Sequence, residues 1–130
     1  MAQNYAARIL LHENKYCHIT PLLKQLHWLP IKARIEYKIL LFTYKCLNDL
    51  APDYLSSLIS YYVPNKTLRS SNSQSLVVRR TNKKSMGDRA VSVFAPNSWN
   101  EADSSIKNAK SLDIFKKCLK TYLFSKYFDN

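Results

Sequence analysis

The sequence predicts a small, mainly α-helical domain with a basic, loop-rich middle section and room for one short β-hairpin. Three observations predict it. Apolar residues recur at three- and four-residue spacings through 31–47 and again after Ser111, the period of a helix face. Prolines, hydroxyls and an asparagine punctuate those stretches where helices start and stop. One glycine, Gly87, in 130 residues leaves few tight two-residue hairpins. With 46% hydrophobic and 22% charged residues, the chain suits a single helical domain over 1–130 with a thin core.

Residues 2–11 read as a short helix, followed by a polar stretch over 12–18. Thr20-Pro21 reads as a second start, with a hydroxyl at the N-cap and proline at the first helical position, where its missing N–H costs nothing. Leu22, Leu23 and Leu26 give that helix one apolar side, and Trp28-Leu29-Pro30 ends it. The longest helix is expected over about 31–47, roughly 25 Å at 1.5 Å per residue. Ile31, Ile35, Ile39, Phe42 and Cys46 form one apolar stripe, and Ala33, Tyr37, Leu40, Tyr44 and Leu47 a second. Arg34, Lys38 and Lys45 share the remaining face. Two stripes predict a helix sandwiched between neighbours, with Ile35 buried and Ile35→Asp severely destabilising. Asn48 terminates it, and Pro52 opens a short helix to Ile59.

Residues 64–89 are the basic loop. Serines and Asn72 there favour turns over helix, and Leu76-Val77-Val78 reads as a short strand. Residues 88–100 read as a helix up to Ala95, broken or kinked at Pro96, with a strand over 90–94 as the rival. Ser111 caps a final helix, and Asp113 in its first turn suits the helix dipole. Its apolar stripe is Leu112, Phe115, Leu119, Tyr122 and Leu123, with Lys117 and Lys120 turned away.

The composition excludes several functions. A phosphate-binding loop or a dinucleotide fingerprint needs more than one glycine. The nine acidic residues contain no Asp-Asp pair, so two-metal polymerase chemistry has no local support. Asp49 and Asp53 read as helix-capping residues. His12, Cys17, His18 and His27 cluster in sequence, but adjacent Cys17 and His18 seldom reach one zinc ion, so packing or capping is expected of them. Cys46 sits on an apolar stripe, Cys118 has no facing base, and no nucleophile elbow is present. We therefore expect no catalytic residue, no cofactor, no metal and no small-molecule substrate. Three scattered cysteines without a CxxC pair fit reduced thiols in the cytoplasm or nucleus. The longest helix-core apolar run, Ile39-Leu40-Leu41-Phe42, is too short to span a bilayer, so no membrane partner is expected.

Charge points elsewhere. Twenty Lys and Arg against nine Asp and Glu give a net +11, the sign that seeks an anionic partner such as nucleic acid. Residues 64–89 hold seven cations and one acid, Asp88. The candidate phosphate contacts are Arg79, Arg80, Lys83 and Lys84, assisted by Lys66, Arg69 and the helix edge Arg34, Lys38 and Lys45.

The string running from His18-Ile19-Thr20-Pro21 through Leu26-His27-Trp28-Leu29-Pro30-Ile31 resembles a segment C-terminal to the polymerase core of LINE-type (non-LTR, jockey-like) retrotransposon reverse transcriptases. The resemblance continues at Arg34-Ile35, Tyr37-Lys38-Ile39, Lys45-Cys46-Leu47 and Ala51-Pro52-Asp53-Tyr54-Leu55. It resumes at Arg69-Ser70-Ser71, Gly87-Asp88-Arg89-Ala90, Trp99-Asn100 and Lys110 to Lys117, and so covers nearly the whole chain. Ser98, Ala102 and Asp103 depart from the Leu, Leu and Pro usual there, and a buried Ser or Ala in place of Leu would weaken packing. The resemblance implies a helical accessory region of an RNA-directed DNA polymerase whose catalytic aspartates lie outside this chain. The expected function is a non-catalytic fragment that contacts RNA or DNA backbone. The alternatives are a small helical protein-interaction module and a decayed transposon fragment with no selected function.

Overall fold

The computed structural model describes residues 2–66, 74–82 and 86–129. Seven helices lie among them: α1 (Ala2–Leu10), α2 (Ile19–Gln25), α3 (Ile31–Leu47), α4 (Asp53–Ser56), α5 (Val91–Glu101), α6 (Ser104–Lys107) and α7 (Leu112–Phe128). The mainly α expectation holds. The strand expected at Leu76-Val77-Val78 reduces to one antiparallel bridge between Tyr61 and Leu76. The expected longest helix, α3, is matched in length by α7, each with 17 residues.

Local chemistry explains the boundaries. Helix α2 begins two residues earlier than expected, with His18 at the N-cap and no side-chain cap, so Thr20 lies inside the first turn rather than before it. Pro21 still sits within that turn, where no intrahelical N–H is required. Ser111 does cap α7, its Oγ accepting from the Ile114 N–H at 3.3 Å. With glycine nearly absent, three helix ends place other residues in the left-handed region: His12 (φ 53°), His27 (φ 52°) and Asp49 (φ 55°). After α2 the His27 N–H bonds back to the Lys24 carbonyl and the Trp28 N–H to that of Leu23, the paired bonds of a Schellman ending.

Pro96 neither ends nor breaks α5 in this structure; it is an interior residue of the helix. It supplies no N–H to the Ser92 carbonyl, an arrangement that costs about 3 kcal/mol in an exposed helix. Here Pro96 is fully buried beside Ala95 and Trp99, and that packing offsets the loss.

The core forms where α3 and α5 pack together and α7 packs across α3. It contains Ala33, Leu40, Tyr44, Ala95, Trp99, Phe115, Leu119 and Leu123. Tyr44 stacks on Phe115 with ring centroids 4.1 Å apart, and its hydroxyl donates to the Ala109 carbonyl at 2.9 Å. The second stripe of α3 is therefore the buried one. The first stripe is covered only towards its C-terminal end, at Ile39, Phe42 and Cys46. Ile31 and Ile35 are 47% and 53% exposed, which overturns the expected burial of Ile35. The spacing alone made the two stripes equivalent, and the packing of α5 and α7 chose between them. A smaller apolar cluster joins α1 to α2 through Ala7, Leu22 and Leu23, with Trp28 and Phe128 against it.

Between the α3 stripes the structure buries Glu36. Its carboxylate accepts from Lys126 Nζ at 2.7 Å and from the Tyr127 hydroxyl at 3.0 Å, tying α3 to the end of α7. Burial works to lower the Lys126 pKa, but the hydrogen bond and charge of Glu36 prevail and raise it. Burial, then Glu36, raises that of Tyr127.

Candidate nucleic-acid interface

The cations expected to meet phosphate fall in two places. On α3, Arg34, Lys38 and Lys45 follow one another along one side of the helix; the first two are exposed and Lys45 is half-buried. Arg34 and Lys38 also line an open groove of about 680 Å³ between α3, α7 and the turn that joins α2 to α3. Lys120 of α7 enters the same groove, with Tyr37, His27 and Trp28 among its aromatic and heteroaromatic walls. No carboxylate lines it. Ala2, Gln3 and Ala6 of α1 line it as well, and Gln3 Nε2 donates to the Leu29 carbonyl at 2.8 Å. Lys45 lies beyond the groove, farther along the helix.

The second place is the segment over 74–82, and it is anchored. Around the bridge, the Tyr62 N–H donates to the Ser75 carbonyl at 2.8 Å and the Val77 N–H to that of Ser60 at 2.9 Å. Leu76, between those bonds, turns its own backbone groups the other way. Its N–H donates to Asn100 Oδ1 at 2.8 Å, and its carbonyl accepts from Asn100 Nδ2 at 3.0 Å. One side-chain amide thus takes the part of a neighbouring strand. Trp99 Nε1 donates to the Gln74 carbonyl at 3.1 Å. Lys107 Nζ donates to the Asn100 carbonyl at 3.2 Å, and burial lowers the Lys107 pKa against the opposing charge of Asp103.

Arg79 and Arg80 follow this anchor and are exposed, as is Lys66. The acid of this stretch, Asp88, accepts from Thr81 Oγ1 at 2.5 Å. Arg69, Lys83 and Lys84 lie outside the described residues. Among the described residues, ion pairs engage Lys24, Lys116 and Lys126, but none of Arg34, Lys38, Lys45, Lys66, Arg79 or Arg80.

The amides and aromatics that shape both places carried little signal in the sequence. Asn100 and Trp99 stood out only in the resemblance. Lys120 was visible as a cation off the α7 stripe, but its meeting with Arg34 and Lys38 depends on helix packing. His12 and His27 sit at helix ends and His18 at a helix start, while Cys17 is half-buried in the small cluster. No three His, Cys, Asp or Glu side chains among the described residues come together as a metal site. No helix there is long and apolar enough to cross a membrane.

Among known proteins, no family model, no curated sequence and no solved structure matches this chain.

Proposed function

We propose that the chain is a non-catalytic C-terminal piece of a retrotransposon RNA-directed DNA polymerase, acting in the cytoplasm or nucleus by contact with RNA or DNA backbone. The family part of this reading rests on the residue strings from His18 to Ile31 and from Lys110 to Lys117. The binding part rests on one observation: Arg34, Lys38, Lys45, Lys66, Arg79 and Arg80 make no ion pair among the described residues. Exposed cations that the fold does not neutralise remain available to phosphate, and counterion release then favours association. The reading gives the chain no catalytic residue, cofactor or metal.

The test is the salt dependence of RNA affinity. Each phosphate neutralised on a single strand contributes about 0.7 to the slope of log affinity against log salt. Changing Arg79, Arg80, Lys83 and Lys84 together to Ala is expected to flatten that slope by roughly two to three units if all four make contact. Base preference stays nearly constant, because phosphate contacts position without specifying sequence. An unchanged slope removes this segment from the interface. A wild-type protein with no affinity for RNA or DNA defeats the whole reading and leaves the protein-interaction module or the decayed fragment. The buried positions of Ser98 and Ala102, 7% and 6% exposed, favour the decayed fragment in that event.

A further inference from the structure

We infer that the groove between α3, α7 and the α2–α3 turn seats one nucleotide of a single strand, its phosphate on Arg34, Lys38 and Lys120 and its base against the Tyr37, Trp28 and His27 walls. This rests on the nucleic-acid reading above and adds to it a defined seat, lined by none of residues 74–82.

Charge comes first. Three cations from two helices line the groove and no carboxylate does among the described residues, so its lining charges are of one sign. Arg34 and Lys38 stand four residues apart on α3, about 6 Å along its axis, and share one side of it. Lys126, also on α7, is held by Glu36 and does not line the groove.

Shape and wall chemistry then narrow the ligand. A groove of about 680 Å³ lies within the roughly 300–1,000 Å³ typical of small-ligand sites. Tyr37 and Trp28 are half-buried, so each is fixed by packing yet leaves surface to the groove. His27 is exposed and braced by Phe124, ring centroids 5.5 Å apart. Cations beside aromatic faces are the combination that holds unpaired bases and their backbone. An acidic peptide would satisfy the cations and leave the aromatic walls unused. A duplex hides its base faces within the stack, so the walls select an unpaired strand.

The experiment uses the full chain and a short labelled oligouridylate, with inorganic polyphosphate and a duplex of the same length as competitors. Trp28 is the reporter, because Trp99 is only 2% exposed and is hydrogen-bonded internally. Wild type is expected to bind oligouridylate with quenching of tryptophan emission. The triple variant R34A/K38A/K120A, all at exposed positions, is expected to lose about 0.7 units of salt slope, the share of one phosphate, between roughly 50 and 200 mM salt. It also loses the quench. Trp28→Phe is expected to keep binding and lose the quench. Polyphosphate displaces the strand without quenching, and the duplex competes poorly. A triple variant with wild-type slope overturns the seat, as does binding that leaves Trp28 emission unchanged or a duplex that competes equally. If only the variant at Arg79, Arg80, Lys83 and Lys84 loses slope, the seat is refuted while backbone binding survives. If wild type binds none of these probes, both fall.

Discussion

Replacing Asn100 by Ala tests the anchoring of the basic segment. Leu76 is 2% exposed, and both its backbone groups depend on the Asn100 amide, at 2.8 and 3.0 Å. The bridge to Tyr61 gives them nothing, because its bonds run through Ser60, Tyr62, Ser75 and Val77. A buried donor or acceptor left without a partner costs about 1–3 kcal/mol. Two such groups, with some water entering the space the amide vacates, put the loss near 2–4 kcal/mol. For 130 residues the unfolding entropy converts each kcal/mol into about 4 °C, so Tm is expected to fall by roughly 7–15 °C. Circular dichroism melts give the shift, and amide exchange at Leu76 and Val77 shows whether the segment has come away from α5. A melt within about 2 °C of wild type, with the Leu76 amide still protected, would refute the account of Asn100 as a missing strand.

Leu40→Ala is expected to cost about 2–5 kcal/mol and Ile35→Asp less than about 0.5, because Leu40 is 1% and Ile35 53% exposed. Urea titrations that reverse this order would mean that the buried face of α3 is misassigned. His12→Gly is expected to stabilise by roughly 0.5 kcal/mol, since relief of the left-handed backbone exceeds the entropy glycine adds to the unfolded chain; a lower Tm would contradict it. The raised pKa values of Lys126 and Tyr127 make alkali destabilising. A group whose pKa is raised on folding contributes stability that is fully present below its unfolded value, here 10.5 for Lys126 and 10.0 for Tyr127, and lost as pH rises through the folded value. Stability should therefore decline above about pH 10, more in wild type than in Glu36→Gln, and equal declines would show that Glu36 is not the cause.

What the sequence made legible was chiefly periodic or local. The span of α3 and the cap at Ser111 follow from spacing and from side chains acting within a few residues. The α7 stripe was legible for the same reason: Phe115, Leu119 and Leu123 are all fully buried. Properties set by long-range packing were not. The two stripes of α3 look alike until α5 and α7 dock. Pro96 argues for a break when only its missing N–H is considered, and its burial decides otherwise. Glu36 carries no local signal, since only α7, ninety residues later in sequence, reveals its partner Lys126. Of the candidate site, the cations of α3 were legible as a row, while the aromatic walls beside them were not. Tyr37 read as core, His27 as a cap and Trp28 as the end of a helix.

The Glu36 link bears on how the groove is held. Arg34 and Lys38 flank Glu36 in sequence, so they lie within one turn of the residue that fixes α7 to α3. On α7, Lys120 precedes Lys126 by six residues, about 9 Å of helix. A shift of α7 by one turn would break both Glu36 hydrogen bonds and carry Lys120 about 5.4 Å along the seam. Apolar contacts tolerate sliding better than this, because their attraction has no direction. The Lys126 and Tyr127 bonds have both length and direction, and they close on a carboxylate whose side chain is only 9% exposed. A buried ion pair adds little net stability over a well-packed apolar contact, yet it penalises the wrong register, which leaves a charge unpaired. The pair at the end of α7 thus fixes the spacing between cations on two helices, and the proposed nucleotide seat depends on that spacing rather than on the total of positive charge.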